Sequence, residues 1–190
     1  MDNEYYSLEA ILAENQKIEC TFKLDIPGLG YLDNGADEDL KALTKLQLPY
    51  WLAPTVLYAD WAEFNMPRPF NSLVQNALIA EARSVKIGAL VGENGRWYTF
   101  GKMVVDLLND PQAKELADIL KLTLKGRLPD LMDQSQHFTG TASAAARSSG
   151  DEVGAEFRSG LDATERELFV LAQDSARLVK AWYESSDRVR

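Results

Sequence analysis

The apolar positions change period along the chain, and those changes divide it. Leu8, Ile11 and Leu12 recur at helical spacing behind Ser7, an N-cap residue type, so a short helix is predicted over residues 7–14. Ile18, Cys20, Phe22, Leu24 and Ile26 then alternate with Glu19, Thr21, Lys23 and Asp25. Alternation of period two puts one set on a buried face and the other in water, which predicts a strand of a one-sided sheet. Proline presets the first turn position and glycine supplies the positive φ needed next, so Pro27, Gly28 and Gly30 read as a structural turn. Residues 29–32 are expected to return as a second strand, and the acidic stretch 33–39 as a solvated loop that closes the module.

Beyond residue 40 the pattern reads as helices. Pro49 and Pro54 bracket residues 50–53, Pro67 and Pro69 mark a further break, and Phe70, Leu73, Val74 and Ala77 recur at helical spacing. Residues 88–95 read as a loop. Trp97, Phe100, Gly101, Val104 and Leu108 follow one helix face, and Asp110-Pro111 ends that helix and starts another. The new helix carries Leu116, Ile119, Leu120, Leu122, Leu124 and Leu128 on more than one stripe, and Gly126 and Pro129 are expected to kink or end it. Ser159 to Asp162 resembles a capping box. It opens a last helix, running to about residue 184, whose seam is Leu161, Leu168, Leu171, Leu178 and Trp182. The expected fold class is α+β, predominantly α. A small β-rich domain with a short N-terminal helix occupies 1–39. A helical-bundle domain occupies 40–190, with a flexible linker, rich in Ser, Ala and Gly, at about 139–158.

Composition narrows the function. Lys plus Arg is 20 against 29 for Asp plus Glu, a formal net charge of -9. Such a chain repels phosphate backbones unless its basic residues cluster, and the densest group, Lys121, Lys125 and Arg127, has acids beside it. Independent nucleic-acid binding is therefore not expected. Cys20 is the single cysteine, so no intrachain disulfide forms, and no run approaches the ~20 apolar residues of a membrane span. The chain reads as soluble and intracellular, with no membrane role.

No catalytic, cofactor-binding or metal residues emerge. Gly28, Gly30 and Gly35 do not fit G-x-G-x-x-G, and Gly95 with Gly101-Lys102 places Met103 where a phosphate loop needs Ser or Thr. Residues 33–39 fail as a calcium loop, with Gly35 at the third ligand position and Thr44 at the twelfth. His137, the only histidine, has no zinc or triad partners at a supporting spacing. A pair of carboxylates acting as an unmarked enzyme site stays as one alternative. A self-contained helical regulatory or ligand-binding domain is another. Apolar residues on several sides of the longest helices favour a chain that packs against others, with Trp97, Phe100, Leu116, Leu120, Leu124, Leu168, Leu171, Leu178 and Trp182 expected at subunit interfaces.

Four motifs occur in order: Tyr5-Tyr6-Ser-Leu8-Glu-Ala-Ile11-Leu12-Ala13, Ile18-Glu-Cys20-Thr-Phe22, Asp25-Ile-Pro-Gly-Leu-Gly-Tyr-Leu32 and Lys45-Leu-Gln-Leu48-Pro49-Tyr-Trp51-Leu52-Ala53. Together they resemble the N-terminal half of the Psf-three family of subunits of GINS, the four-subunit DNA-replication complex. Trp97-Tyr98-Thr-Phe100-Gly101 is similar to a later aromatic-glycine patch of that family. The resemblance implies a β-rich domain followed by a helical one, no enzymatic activity and no cofactor. It implies a nuclear heterotetramer with Sld-five, Psf-one and Psf-two subunits. Through that assembly it implies contact with the MCM helicase ring, on the Psf-two and Psf-three side, and with the Cdc-forty-five factor.

Overall fold

The computed structural model describes residues 7–33, 38–91, 95–140 and 157–187. The period-two run forms β1 (Lys17–Phe22) behind a short helix, α1 (Leu8–Glu14). Ser7 stands at the N-cap of α1 but makes no side-chain capping bond. β1 is the centre of a three-stranded antiparallel sheet of order β2-β1-β3, with β2 at Lys45–Pro49 and β3 at Ala62–Phe64. The register sets Ile18 opposite Leu48, Cys20 opposite Leu46 and Phe22 opposite Ala62, all six buried, so the alternation of each strand lands on one apolar face. Burial, with the charge of Glu19 adding, pushes the Cys20 thiol up to about 11, so it packs as a neutral group.

Both partners of β1 differ from the expected one. The backbone at Gly30–Asp33 winds into a 3-10 turn instead of a returning strand. Pro27 and Gly28 do turn the chain, Gly28 at φ +74°. The return, however, consists of a single antiparallel bridge from Ile26 to Leu40, with the Gly28 N–H donating to the Asp39 carboxylate at 3.0 Å. The strands that pair with β1 lie beyond residue 39, in sequence expected to be helical. Five residues ending in proline are too short to show a helical or a strand period, and pairing with an already formed strand decides between them.

Two compact units form by contact: Met1–Ser72 with Thr99–Ala117, and Leu73–Tyr98 with Asp118–Arg190. In the first, α2 (Ala53–Tyr58) follows the sheet edge, and Phe70 and Phe100 pack with ring centroids 5.5 Å apart. The remaining helices are α3 (Ser72–Glu81), α4 (Trp97–Leu107), α5 (Asp110–Gly140) and α6 (Ala163–Asp187). α4 begins where its apolar face begins, and α5 starts at Asp110, so Asp110 is its first residue and not the N-cap expected, and Pro111 is its second. Gly126 and Pro129 do not end α5, which continues to Gly140. A proline removes one helical donor and crowds the preceding carbonyls. Arg83 bonds nearby, its Nε reaching the Gly126 carbonyl at 3.2 Å while its Nη1 pairs with Asp130 at 3.1 Å. The expected linker falls almost wholly outside the described residues.

Gly28 has open space where a side chain would go, so its glycine is required by φ alone. Gly28→Val is expected to cost about 1–2 kcal/mol, the penalty of a side chain in the left-handed region. Thermal unfolding of the full chain checks this, and an unchanged Tm would remove the turn from the list of structural constraints.

Candidate interaction surface and the buried polar cluster beneath it

Within the second unit, Leu120, Thr123, Arg127, Leu131 and Ser135 recur every three or four residues along α5, and all are buried. A charged residue in the middle of a buried stripe must be paired, or its desolvation is uncompensated. Arg127 meets Glu165, a fully buried residue in the first turn of α6. The pair is bidentate: Nε to Oε1 at 2.7 Å and Nη2 to Oε2 at 3.1 Å. Nη1 donates to the carbonyls of Ala82 and Val85, just past α3, at 2.9 and 2.8 Å.

Glu165 takes two further donors. The Tyr98 hydroxyl reaches Oε1 at 2.9 Å, and the Asp162 N–H reaches Oε2 at 3.2 Å. Four donors fill the acceptor sites of a carboxylate. Asp162 in turn stands at the N-cap of α6. Its Oδ2 accepts from the Thr164 N–H at 3.0 Å, so Asp162 and Glu165 form a reciprocal capping box. That box starts three residues later than the Ser159 expected from sequence. Its Oδ1 accepts the Trp97 N–H, the first residue of α4, at 2.5 Å. Arg96, before α4, carries no acceptor, and a carboxylate 65 residues away takes that role. One side chain thus caps two helices.

Burial raises the Asp162 pKa above its ordinary value, against the opposing effect of the N–H donors from Trp97 and Thr164. Burial, then the charge of Glu165, pushes the Tyr98 hydroxyl above its usual range, so it stays a donor. The backbone closes over the cluster at Ile87–Ala89, where the Gly88 N–H donates to the Gly160 carbonyl at 3.2 Å. A Cβ on Gly88 would stand 2.5 Å from the Leu161 carbonyl oxygen, so only glycine allows this approach.

None of Tyr98, Arg127, Asp162 and Glu165 was nominated from sequence. The available signal was a charge on an apolar stripe: Arg127 lies seven residues after Leu120, and Glu165 lies four before the buried Phe169. The carboxylate pair imagined for an enzyme has its nearest counterpart here, and its oxygens are occupied by helix ends and Arg127. Among the described residues no group of three His, Cys, Asp or Glu is placed to hold a metal, and no helix is long and apolar enough to cross a membrane.

The nine residues expected at interfaces separate into two sets. Trp97, Phe100, Leu116 and Leu120 are buried within this chain and belong to its own core. Leu124 is half-buried. Leu168 packs partly buried against the cluster of Leu131, Leu161 and Phe169. Leu171, Leu178 and Trp182 are 58%, 72% and 63% exposed. Their spacing of seven and four puts all three on one line of α6. Leu122 and Leu128 of α5 are exposed as well, because only one stripe of that helix is buried there. Every residue from 177 to 185 is exposed, Val179 and Tyr183 among them, so none of the described residues covers this stretch of α6.

Comparison with known proteins places both parts. Residues 6–58 match the family model of the PSF3 N-terminal domain, and residues 71–184 match that of the GINS complex protein helical bundle domain. A protein of Aspergillus fumigatus named DNA replication complex GINS protein psf3 is 34% identical over 184 residues, covering 94% of this chain and 95% of that one. A Phaeosphaeria nodorum protein of the same name is 32% identical, covering 95% of this chain and 96% of its own length. For the Schizosaccharomyces pombe protein so named, the identity is 30%, over 96% and 99%.

Removing one partner of a buried ion pair leaves an uncompensated charge, so Glu165→Ala is expected to cost about 3–5 kcal/mol in denaturant unfolding. Combining it as Glu165→Leu with Arg127→Met is expected to recover part of that loss. A double variant no more stable than the single would show that the pair itself is not what the cluster rests on. Because the folded state raises the Asp162 pKa, it binds a proton more readily than the unfolded chain. The contribution of this group to stability therefore rises as pH falls through its raised pKa, and levels off below the ordinary value of 3.8. Asp162→Asn is expected to remove that slope from the pH profile of Tm, and an identical profile in the variant would refute the assignment.

Proposed function

The chain belongs to the Psf3 family of GINS subunits, and from that premise we propose that it is a non-catalytic structural subunit acting through the apolar line on α6. As a member of this family it is a GINS complex subunit in DNA replication. In the finer reading, it sits in a nuclear heterotetramer with Sld-five, Psf-one and Psf-two subunits. That tetramer joins the MCM ring and the Cdc-forty-five factor in the replicative helicase. The chain binds no nucleic acid by itself, a reading its net charge of -9 supports.

The observation that carries the mechanical role is the uncovered end of α6. A helix holds an apolar line in water only at a cost, which a partner removes. Each of Leu171, Leu178 and Trp182 contributes roughly 1.5–3 kcal/mol when its apolar surface is fully buried. Tryptophan is also one of the residue types enriched at the centre of such contacts. The self-contained regulatory domain accounts for the buried Trp97 and Leu120 but leaves this line unexplained. Structural use of the only buried carboxylates among the described residues, Asp162 and Glu165, supports the non-catalytic reading.

Native mass spectrometry of the chain affinity-purified from its own cells is expected to give an equimolar four-protein assembly. Trp182→Ala is expected to weaken that assembly by about 2 kcal/mol, a hot-spot loss, without lowering the Tm of the isolated chain. A clean monomer, or a variant that assembles with unaltered stability, would transfer this face to another role.

A further inference from the structure

The first unit carries an exposed apolar surface of its own, at one end of the sheet. β1 is the central strand, and its end is bonded on both sides. The Leu43 N–H donates to the Phe22 carbonyl at 2.7 Å, and the Lys23 N–H donates to the Trp61 carbonyl at 2.8 Å. Leu43, Leu24 and Trp61 therefore stand in a row across that end, about 10 Å from first to last by the spacing of neighbouring strands. They are 80%, 54% and 47% exposed. Leu43 has φ +68° and Asp60 has φ +56°, the two non-glycine residues at positive φ among the described residues. Aspartate is a common occupant of that region and leucine is a rare one. The backbone is fixed on both flanks, by the Ala42 N–H donating to Asp25 Oδ1 at 2.6 Å and by Lys23 pairing with Asp60 at 2.7 Å. Leu43 is thus strained and gains little burial in return within the described residues.

We infer that this end of the sheet is a docking surface for a short segment of another protein that carries arginine or lysine beside an apolar side chain. Contact with such a segment would bury the apolar row, and it accounts for a leucine at a strained, solvated position. The sign of the occupant's charge follows from the surroundings. The segments that bear the row, 23–25, 33–45 and 60–63, hold seven Asp or Glu against three Lys. Lys45 faces Glu19 at 3.4 Å, and Asp60, with Glu63 adding, raises the Lys23 pKa above its ordinary value. Such a field attracts a cationic segment and repels an acidic one. The exposed ring of Trp61 adds a cation–π partner, which arginine uses more often than lysine. An extended chain spans about 3.3–3.6 Å per residue, so three or four residues cross the whole row. The inference does not rest on the assembly proposed above, because none of these residues belongs to the exposed line on α6.

Leu43 provides the test. Leu43→Gly removes the exposed side chain and the strain together, so a purely structural role and a docking role predict opposite results. The probe is a fluorescein-labelled nonapeptide of alternating arginine and leucine. Its anisotropy is followed on the affinity-purified full chain with whatever subunits it brings. An ionic strength of about 0.15 M screens distant surface charges. Saturable binding is expected, weakened about tenfold by Leu43→Gly, a loss of about 1.4 kcal/mol, while the Tm of the same preparation stays equal or rises. Trp61→Ala and Glu63→Lys are expected to weaken binding similarly, and Trp182→Ala to leave it unchanged. If Trp61→Ala does not fold, Leu43→Gly and Glu63→Lys decide, since both side chains are at the surface. The inference fails if no saturable binding occurs or if Leu43→Gly and Glu63→Lys bind as the parent does. It fails equally if Leu43→Gly lowers the Tm, which would make the leucine structural. A peptide with glycine in place of leucine that binds as well would reduce the effect to general charge attraction, and one with glutamate in place of arginine that binds as well would remove the acidic rim from it. Either result would overturn the assignment.

Discussion

A guanidinium buried in the middle of a helix stripe has to be paired, and the second unit is arranged around that requirement. Arg127 is met by Glu165 in two bonds and by two carbonyls past α3. Because the fork of an arginine is planar and its donors are fixed in direction, these contacts set position as well as energy. Glu165 then has two acceptor sites left, and Tyr98 and the Asp162 backbone fill them. Asp162, held there, caps the helix it begins and the helix that begins at Trp97. The start of α4, the middle of α5, the start of α6 and the turn after α3 are thereby tied to one cluster of four side chains.

The consequence for the exposed face follows from rigidity. The first turns of α6 are anchored by Asp162, Glu165 and Phe169, and the helix then runs out beyond its cover. Leu171, Leu178 and Trp182 are therefore carried in a defined direction on a helix whose origin is fixed. A surface that must meet another protein gains from such anchoring, because less freedom is lost on contact.

The first unit depends on a different constraint. Its sheet is held by period-two alternation, and a slip of one residue would turn Ile18, Cys20 and Phe22 into water. β2 carries Lys45 and Pro49 at its ends, residue types that discourage further strands from adding to an edge. The two units thus illustrate two ways of specifying a structure, one by a uniform apolar pattern and the other by a few polar groups with exact valence.

Patterning by itself determined much of this protein. The alternation from Ile18 to Phe22, the face from Trp97 to Val104, the Asp110-Pro111 start and the apolar line of the last helix are all local in sequence, and each appears in the fold. The ordered N-terminal motifs were enough to point to the family. What only the tertiary structure decided depends on residues far apart in the chain. Lys45–Pro49 became a strand because β1 was there to pair with it. α5 ran through Pro129 to Gly140. Trp97 and Leu120 are buried in this chain's core, while Leu171, Leu178 and Trp182 are exposed. A helix period shows that a face is apolar but not what covers it. Arg127 and Glu165 are 38 residues apart, and in a linear reading each is simply a charge. Only folding brings them within 3 Å, where burial turns two ordinary charges into the constraint that the unit is built on.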